Sequence, residues 1–235
     1  MFLLISRTQT PEIEKKIRSL VRAGIDAYAI IDDGPTSGSR FITYPDEFMK
    51  HHYWTNHMSP KRLPITGWDK ATFHAYSHGY REKHVWICED DVYWDTTKVL
   101  LHYTDLNSDA DLIAYPLAPS YTDVPDWYHW SKVQMITPTK KYWAATFNQL
   151  CRVSRRILVE MYELSQKRKR LYFHEGMFAT ICKMNGWTIQ YLDEVRIQDL
   201  YVHFRWDKPY TPEQVKELIK EHKHVLIHPV KFNLK

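Results

Sequence analysis

The first thirty-one residues constrain the fold more than any other part of the chain. Phe2 to Ser6 is a short apolar run with the content of a strand. Thr10 then offers an N-cap, Pro11 falls at the first helical position, and Glu12 and Glu14 occupy the first turn, where the positive end of a helix dipole favours acids. Ile13, Ile17, Leu20 and Val21 recur at helical spacing and form one apolar stripe, with Gly24 as the expected stop. Asp26 to Ile31 is a second strand, running into Asp32-Asp33-Gly34. Strand, amphipathic helix and strand in this order predict two parallel strands joined by a right-handed crossover.

The remaining chain continues the alternation. Residues 41 to 67 read as irregular, with aromatic and histidine clusters. Trp68, Ala71, Thr72 and Ala75 mark one face of a helix ending near Gly79. Val85 to Cys88 is a buried-strand pattern, followed at once by Glu89-Asp90-Asp91 and then Val92. A helix around 95 to 106 leads to a strand over 109 to 115. Residues 116 to 142, rich in Pro, Trp and Tyr, read as a loop-built region, and Trp143 to Leu150 as a strand. Ser154 caps a helix carrying Ile157, Leu158, Met161 and Leu164, and Arg152, Arg155 and Arg156 read as solvated helix-start charges. A helix over 175 to 184 ends at Asn185-Gly186, and Trp187 to Leu192 follows as a strand. Thr211-Pro212-Glu213 opens a last helix and Val225 to Val230 a last strand. Strands alternating with helices predict the α/β class, with a mixed sheet because the second half is less regular.

At 235 residues the chain can bury a sizeable core as one domain. A net charge of +4 permits a small anionic ligand and does not by itself argue for nucleic acid. Cys88, Cys151 and Cys182 are odd in number and widely spaced, which fits a reducing, cytoplasmic setting rather than a disulfide framework. No run approaches the length of a membrane span, so no transmembrane segment is expected.

Three consecutive acids at the end of a buried strand repel one another unless a cation neutralises them. Mg²⁺ or Mn²⁺ does so with hard oxygen ligands and leaves positions for phosphate oxygens; the bland alternative is an acidic surface turn. In open α/β sheets ligands bind beyond the carboxyl ends of the strands. Three such ends carry polar groups: Arg7, suited to a phosphate; Asp32 and Asp33, suited to a ribose or base; and Glu89 to Asp91. Together they describe a nucleoside-diphosphate site without the glycine-rich loops of the dinucleotide-binding or P-loop motifs.

These features resemble the GT-A-type nucleotide-sugar glycosyltransferases. Glu89-Asp90-Asp91 is similar to that superfamily's DXD motif, with Glu in the first place. Phe173-His174-Glu175-Gly176-Met177-Phe178 resembles the segment that supplies an acid at a helix start facing the acceptor. His228-Pro229-Val230-Lys231 resembles the C-terminal histidine segment that completes the metal or diphosphate site. The likeness spans roughly residues 1 to 231. It implies one GT-A-like α/β/α sandwich over 1–235 with a central mixed, mostly parallel sheet, its nucleotide-sugar-binding half at 1–115 and its acceptor-binding half at 116–235. It further implies a metal-dependent transfer from a nucleoside-diphosphate sugar to a glycan hydroxyl.

On this reading Asp91 is the leading ligand for Mn²⁺ or Mg²⁺, with His228 as a further ligand and His203 as the competing histidine. Glu89 or Asp90 reaches the ribose, a water or the metal. Arg7, Asp32, Asp33 and Lys231 serve the nucleotide and its diphosphate. Glu175 is either a general base, which implies inversion at the anomeric carbon, or a plain helix-start acid. Gly176 beside it would let an acceptor approach closely. Trp127 and Trp130 offer faces for an acceptor sugar, or anchor their loop in the core. The rival readings are a metal-dependent nucleotidyltransferase or phosphoesterase, and a carbohydrate- or nucleic-acid-binding module, the last disfavoured because the acids would repel a nucleic-acid backbone.

Overall fold

The computed structural model describes residues 1–55, 65–79, 81–104, 106–195 and 197–230. In chain order the elements begin with β1 (Phe2–Ser6), α1 (Pro11–Arg22), β2 (Ala27–Ile31), β3 (Phe41–Ile42), α2 (Asp46–His51) and α3 (Gly67–His78). They continue with β4 (His84–Glu89), β5 (Tyr93–Trp94), α4 (Thr97–Thr104), β6 (Leu112–Ala118), α5 (Trp130–Gln134) and β7 (Ala145–Ser154). The last are α6 (Arg155–Arg168), α7 (His174–Asn185), β8 (Ile189–Tyr191), β9 (Leu200–Phe204), α8 (Pro212–Glu221) and β10 (His224–His228).

The opening unit forms as its sequence dictates. The Thr10 hydroxyl accepts from the Ile13 amide, Pro11 sits at the start of α1, and Ile13, Ile17 and Leu20 are buried. β1 and β2 pair in parallel, with Ser6 opposite Ile31. β4 joins the other side of β1, also in parallel, with Ile5 opposite Glu89. These two registers bring the carboxyl ends of three strands to one edge.

The main sheet has seven strands in the order β3-β2-β1-β4-β7-β6-β8. Only β7 opposes its neighbours, pairing antiparallel with both β4 and β6; the sheet is mixed and mostly parallel. Alternate residues of β1 feed opposite faces. Phe2 and Leu4 pack with α1 and α4, through Ile17, Leu20, Val99 and Tyr103. Leu3 and Ile5 pack with α3, α6 and α7, through Ala71, Ile157, Met161 and Phe178. The result is an α/β/α sandwich. A second sheet, β5-β10-β9, carries α8 on its outer face, where Val215 meets Val225, Ile227 and Tyr210.

Several elements depart from the sequence expectation. Residues 41 to 67 contain β3 and α2, and the 116–142 region contains α5. β6 starts at Leu112 rather than Asp109, and just before it the Asp111 carboxylate is bound by Arg156 at 2.9 and 2.7 Å. It extends through Pro116, next to an irregularity in its pairing with β7. β7 runs on to Ser154, so Arg152 is a buried strand residue and not a solvated charge; its guanidinium donates to the carbonyls of Ser108 and Ala110. β9 was absent from the sequence expectation. No helix among the described residues is long and apolar enough to cross a membrane.

Candidate active site

The acid-tipped strand does what three adjacent carboxylates require: it separates them. Asp90 turns toward β1 and α1, where its carboxylate accepts from the Ser6 hydroxyl at 2.5 Å. Burial raises its pKa, and the Ser6 hydrogen bond opposes that rise. The Lys16 ammonium lies beneath, donating to the Asp90 and Val92 carbonyls at 2.6 and 3.2 Å. Asp90 and Lys16 thus hold the turn. Glu89 and Asp91 point the other way.

His228 ends β10 and meets them. The amide of Val230 donates to the Asp91 carbonyl at 2.8 Å, which ties the C-terminal segment to the acid turn. The His228 Nε2 lies 3.2 Å from Asp91 Oδ1 and 3.5 Å from Glu89 Oε2. One ligand atom from each of Glu89, Asp91 and His228 falls within 4.8 Å of the others. Burial alone would depress the His228 pKa, but the two carboxylates overcome it and lift it to about 9. The other Glu89 oxygen accepts from the Trp68 indole N–H at 2.6 Å. Asp91 Oδ1 is buried, with the His228 Nε2 as its ion-pair partner. Two carboxylates and an imidazole suit a divalent cation such as Mn²⁺. His203 is not part of this cluster; its Nδ1 bonds the Tyr210 hydroxyl on the α8 side of the small sheet.

Glu175 stands in the first turn of α7 and is 8% exposed. Its Oε1 accepts from Gln149 Nε2 at 2.7 Å, and Asn148 donates to the His174 carbonyl at 2.9 Å. The β4–β7 pairing runs through Cys88 opposite Leu150, so Gln149 comes level with Glu89. Burial pushes the Glu175 pKa up to about 8, the Gln149 hydrogen bond opposes this, and the Glu89 charge adds to the rise.

Not all of the residues expected at the site converge there. Asp32 is at the right strand end but is engaged by the buried Lys70 at 3.2 Å, which also reaches Asp46 at 3.1 Å. Arg7 and Asp33 are exposed neighbours, 3.8 Å apart. Lys231 lies outside the described residues. Trp130 is core, not an acceptor platform: it is 5% exposed, its indole donates to the Val124 carbonyl at 2.7 Å, and its ring stacks on Trp143. Trp127 is half-buried beside Trp130 and Phe173. Gly176 does not open a path to Glu175. A Cβ there would lie 2.4 Å from Val133 and 3.5 Å from the Trp127 ring, so the missing side chain lets α5 pack on α7.

Sequence reasoning overlooked three residues that shape the site: Trp68, Gln149 and His174. In the sequence Trp68 reads only as one apolar mark of a helix face. His174 lies flat on its ring, with centroids 4.1 Å apart and planes at 13°.

No family model matches the chain, and no curated protein sequence matches it. Among solved structures, the galactosyltransferase LgtC in complex with donor and acceptor sugar analogues aligns over 86% of this chain and 76% of its own, at 10% identity and a TM-score of 0.48. An active-site mutant of LgtC aligns over 93% and 83%, at 11% identity and a TM-score of 0.48. Mouse xyloside xylosyltransferase 1 in its apo form aligns over 88% and 87%, at 7% identity and a TM-score of 0.44.

Proposed function

We propose that this chain is a metal-dependent glycosyltransferase of GT-A type that moves a hexose or deoxyhexose from a nucleoside diphosphate to a glycan hydroxyl. The observation that carries the reading is the Glu89–Asp91–His228 cluster, set where the carboxyl ends of parallel strands meet. These three residues would hold Mn²⁺ or Mg²⁺. When bound, such an ion neutralises the charge of a leaving diphosphate.

The roles of the protein groups follow from their places. Residues 1–115 supply the nucleotide side: Asp32 and Asp33 at the end of β2 for the ribose or base, and Arg7, 83% exposed beside them, for a phosphate. Asp90 acts from behind, fixing the turn that presents Glu89 and Asp91. Residues 116–235 supply the acceptor side, with half-buried Trp127 as an aromatic face. They also supply His228, so the metal ligands come from both halves. Glu175 is the general base that takes the acceptor hydroxyl proton. A carboxyl whose pKa burial has brought to about 8 is a far better base near neutral pH than an ordinary glutamate. A single displacement with that base inverts the anomeric carbon. The three cysteines, buried and unpaired, fit a reducing compartment.

The test is incubation with a panel of UDP-, GDP- and dTDP-hexoses and Mn²⁺, with and without glycan acceptors. Release of nucleoside diphosphate, stimulated by an acceptor and abolished by EDTA, is the expected result. Pyrophosphate or phosphate release would instead indicate a nucleotidyltransferase or phosphoesterase. Sugar binding that persists in EDTA without donor cleavage would indicate a binding module.

A further inference from the structure

Outside the carboxylate–histidine cluster, one side chain has no accounted role. His174 is 8% exposed, yet neither of its ring nitrogens has a hydrogen-bond partner among the described residues. A buried imidazole with both nitrogens unsatisfied is an expensive way to fill space, and Phe or Leu would do it better. Aromatic rings surround it, with Trp68 on one face and Phe173 and Phe178 near its edges, and the His129 imidazole lies close enough to add to the lowering of its pKa by burial. The neighbouring Gln149 has the same peculiarity: its amide nitrogen is spent on Glu175, and its Oε1 is buried without a partner. Such orphans in native proteins call for an explanation, and clustering beside a site supplies one.

Their position is what makes them informative. His174 lies flat on Trp68, whose indole N–H holds Glu89, one corner of the metal cluster. Gln149 comes level with Glu89 across the β4–β7 pair. A neutral imidazole offers one donor and one acceptor, and an amide oxygen offers an acceptor. Vicinal hydroxyls on a sugar ring carry the complementary set.

We propose that His174, with Gln149 beside it, recognises hydroxyl groups of the sugar carried by the nucleotide. The assignment is to the donor sugar because His174 stacks on the Trp68 that holds Glu89 and Gln149 is level with Glu89, part of the cluster that on the proposed function faces the donor diphosphate. It rests on the reading of the chain as a nucleotide-sugar enzyme. His174 is a specificity residue: it sets which sugar fits, and neither holds the ion nor moves the reacting proton.

The test compares wild type with His174→Phe, which keeps the stack on Trp68 and removes both nitrogens. Calorimetric titrations in Mn²⁺ are run with UDP, GDP and dTDP and with their hexose conjugates, without acceptor. The readout is the ratio of nucleotide-sugar to nucleotide affinity, so a change common to both ligands cancels. In His174→Phe that ratio should fall by about tenfold or more, the worth of one good hydrogen bond, with nucleotide affinity unchanged. Its melting temperature should be unchanged or higher, since an unsatisfied polar side chain has gone. His174→Gln, which keeps one donor and one acceptor, should retain the ratio within a few fold. If the Phe variant does not fold, His174→Leu against His174→Gln makes the same comparison. An unchanged ratio in His174→Phe or His174→Leu, or an equal loss for nucleotide and nucleotide sugar, overturns the assignment. Failure of wild type to bind any nucleotide or nucleotide sugar overturns the glycosyltransferase reading itself, and this assignment with it.

Discussion

At the residue scale the outcome of the acid run turns on direction. Three consecutive carboxylates cannot share one environment, and the turn that follows β4 sends Asp90 to the side away from Glu89 and Asp91. The pair two apart faces His228, while the middle acid is consumed by Ser6. That division was not legible from the acids alone, because it depends on where β1 and β10 lie. Glu175 was legible as a helix-start acid, but its burial was not, because Gln149 approaches from a different strand. Its chemistry can be tested by rate and pH together. Glu175→Gln should reduce turnover by about a hundredfold or more while nucleotide-sugar affinity stays near wild type. A base must be deprotonated to act, so wild-type turnover should rise with pH on an acid limb ending at or below about 8, the value burial imposes before any cation is bound nearby. The Gln variant should lack that limb. Product NMR should show an inverted anomeric centre; retained configuration, or near-normal turnover in Glu175→Gln, would return the residue to the role of an ordinary helix-start acid.

At the element scale, what could be read from sequence was what is local. The Thr10 and Ser154 caps and the Gly186 stop are decided within four residues, and each stands where expected. What was missed is non-local: the reversal of β7, the strand β9, and the pairing that carries β6 on past Tyr115. Gly176 shows the same division. From sequence it reads as an opening beside Glu175, whereas the fold uses it to seat α5 against α7. Gly176→Ala drives a Cβ against Val133 and should destabilise by roughly 1–3 kcal/mol, read as a lower urea midpoint with unchanged slope. A wild-type midpoint would mean that α5 is not so seated. Helix α3 makes an acid-sensitive element of the same face. His74 is buried under Tyr44, whose hydroxyl lies 2.8 Å from its Nδ1, and burial, then the neighbouring His78, pushes its pKa down to about 4. The unfolded chain therefore binds the extra proton first. The stabilising contribution is complete above about pH 6.5 and is lost as pH falls toward 4. His74→Asn keeps an acceptor near Tyr44 and cannot titrate, so its stability should fall less than wild type's between pH 6.5 and 4.5; equal slopes would remove His74 from the account.

At the scale of the whole molecule the α/β/α layout was legible because the opening β-α-β unit admits few continuations, and α1 and α3 cover opposite faces of β1. The small sheet was not legible, and it is what completes the site. Glu89 and Asp91 close the β4 end of the seven-stranded sheet, while His228 closes the β10 end of the three-stranded one. The Val230 amide on the Asp91 carbonyl and the pairing of β5 with β10, just beyond Asp91, join the two sheets here, and an ion would add a cross-link between side chains. Any ligand that binds only the folded state stabilises it by mass action, by about 2.7 kcal/mol at a hundred times its dissociation constant. For a chain of 235 residues that corresponds to a rise of roughly 5–10 °C in melting temperature. Saturating Mn²⁺ should therefore raise the melting temperature by this order, and EDTA should reverse it. Asp91→Asn and His228→Gln remove ligands from different sheets, yet each should abolish most of the shift and most of the metal-dependent turnover, with the metal-free melting temperature lowered little. A surface carboxylate pair binding ions loosely predicts a different pattern, in which His228→Gln keeps the full shift and only Asp91→Asn loses it. That pattern, or a wild-type protein indifferent to Mn²⁺, would leave the two sheets joined without an ion and remove the metal from the proposed reaction.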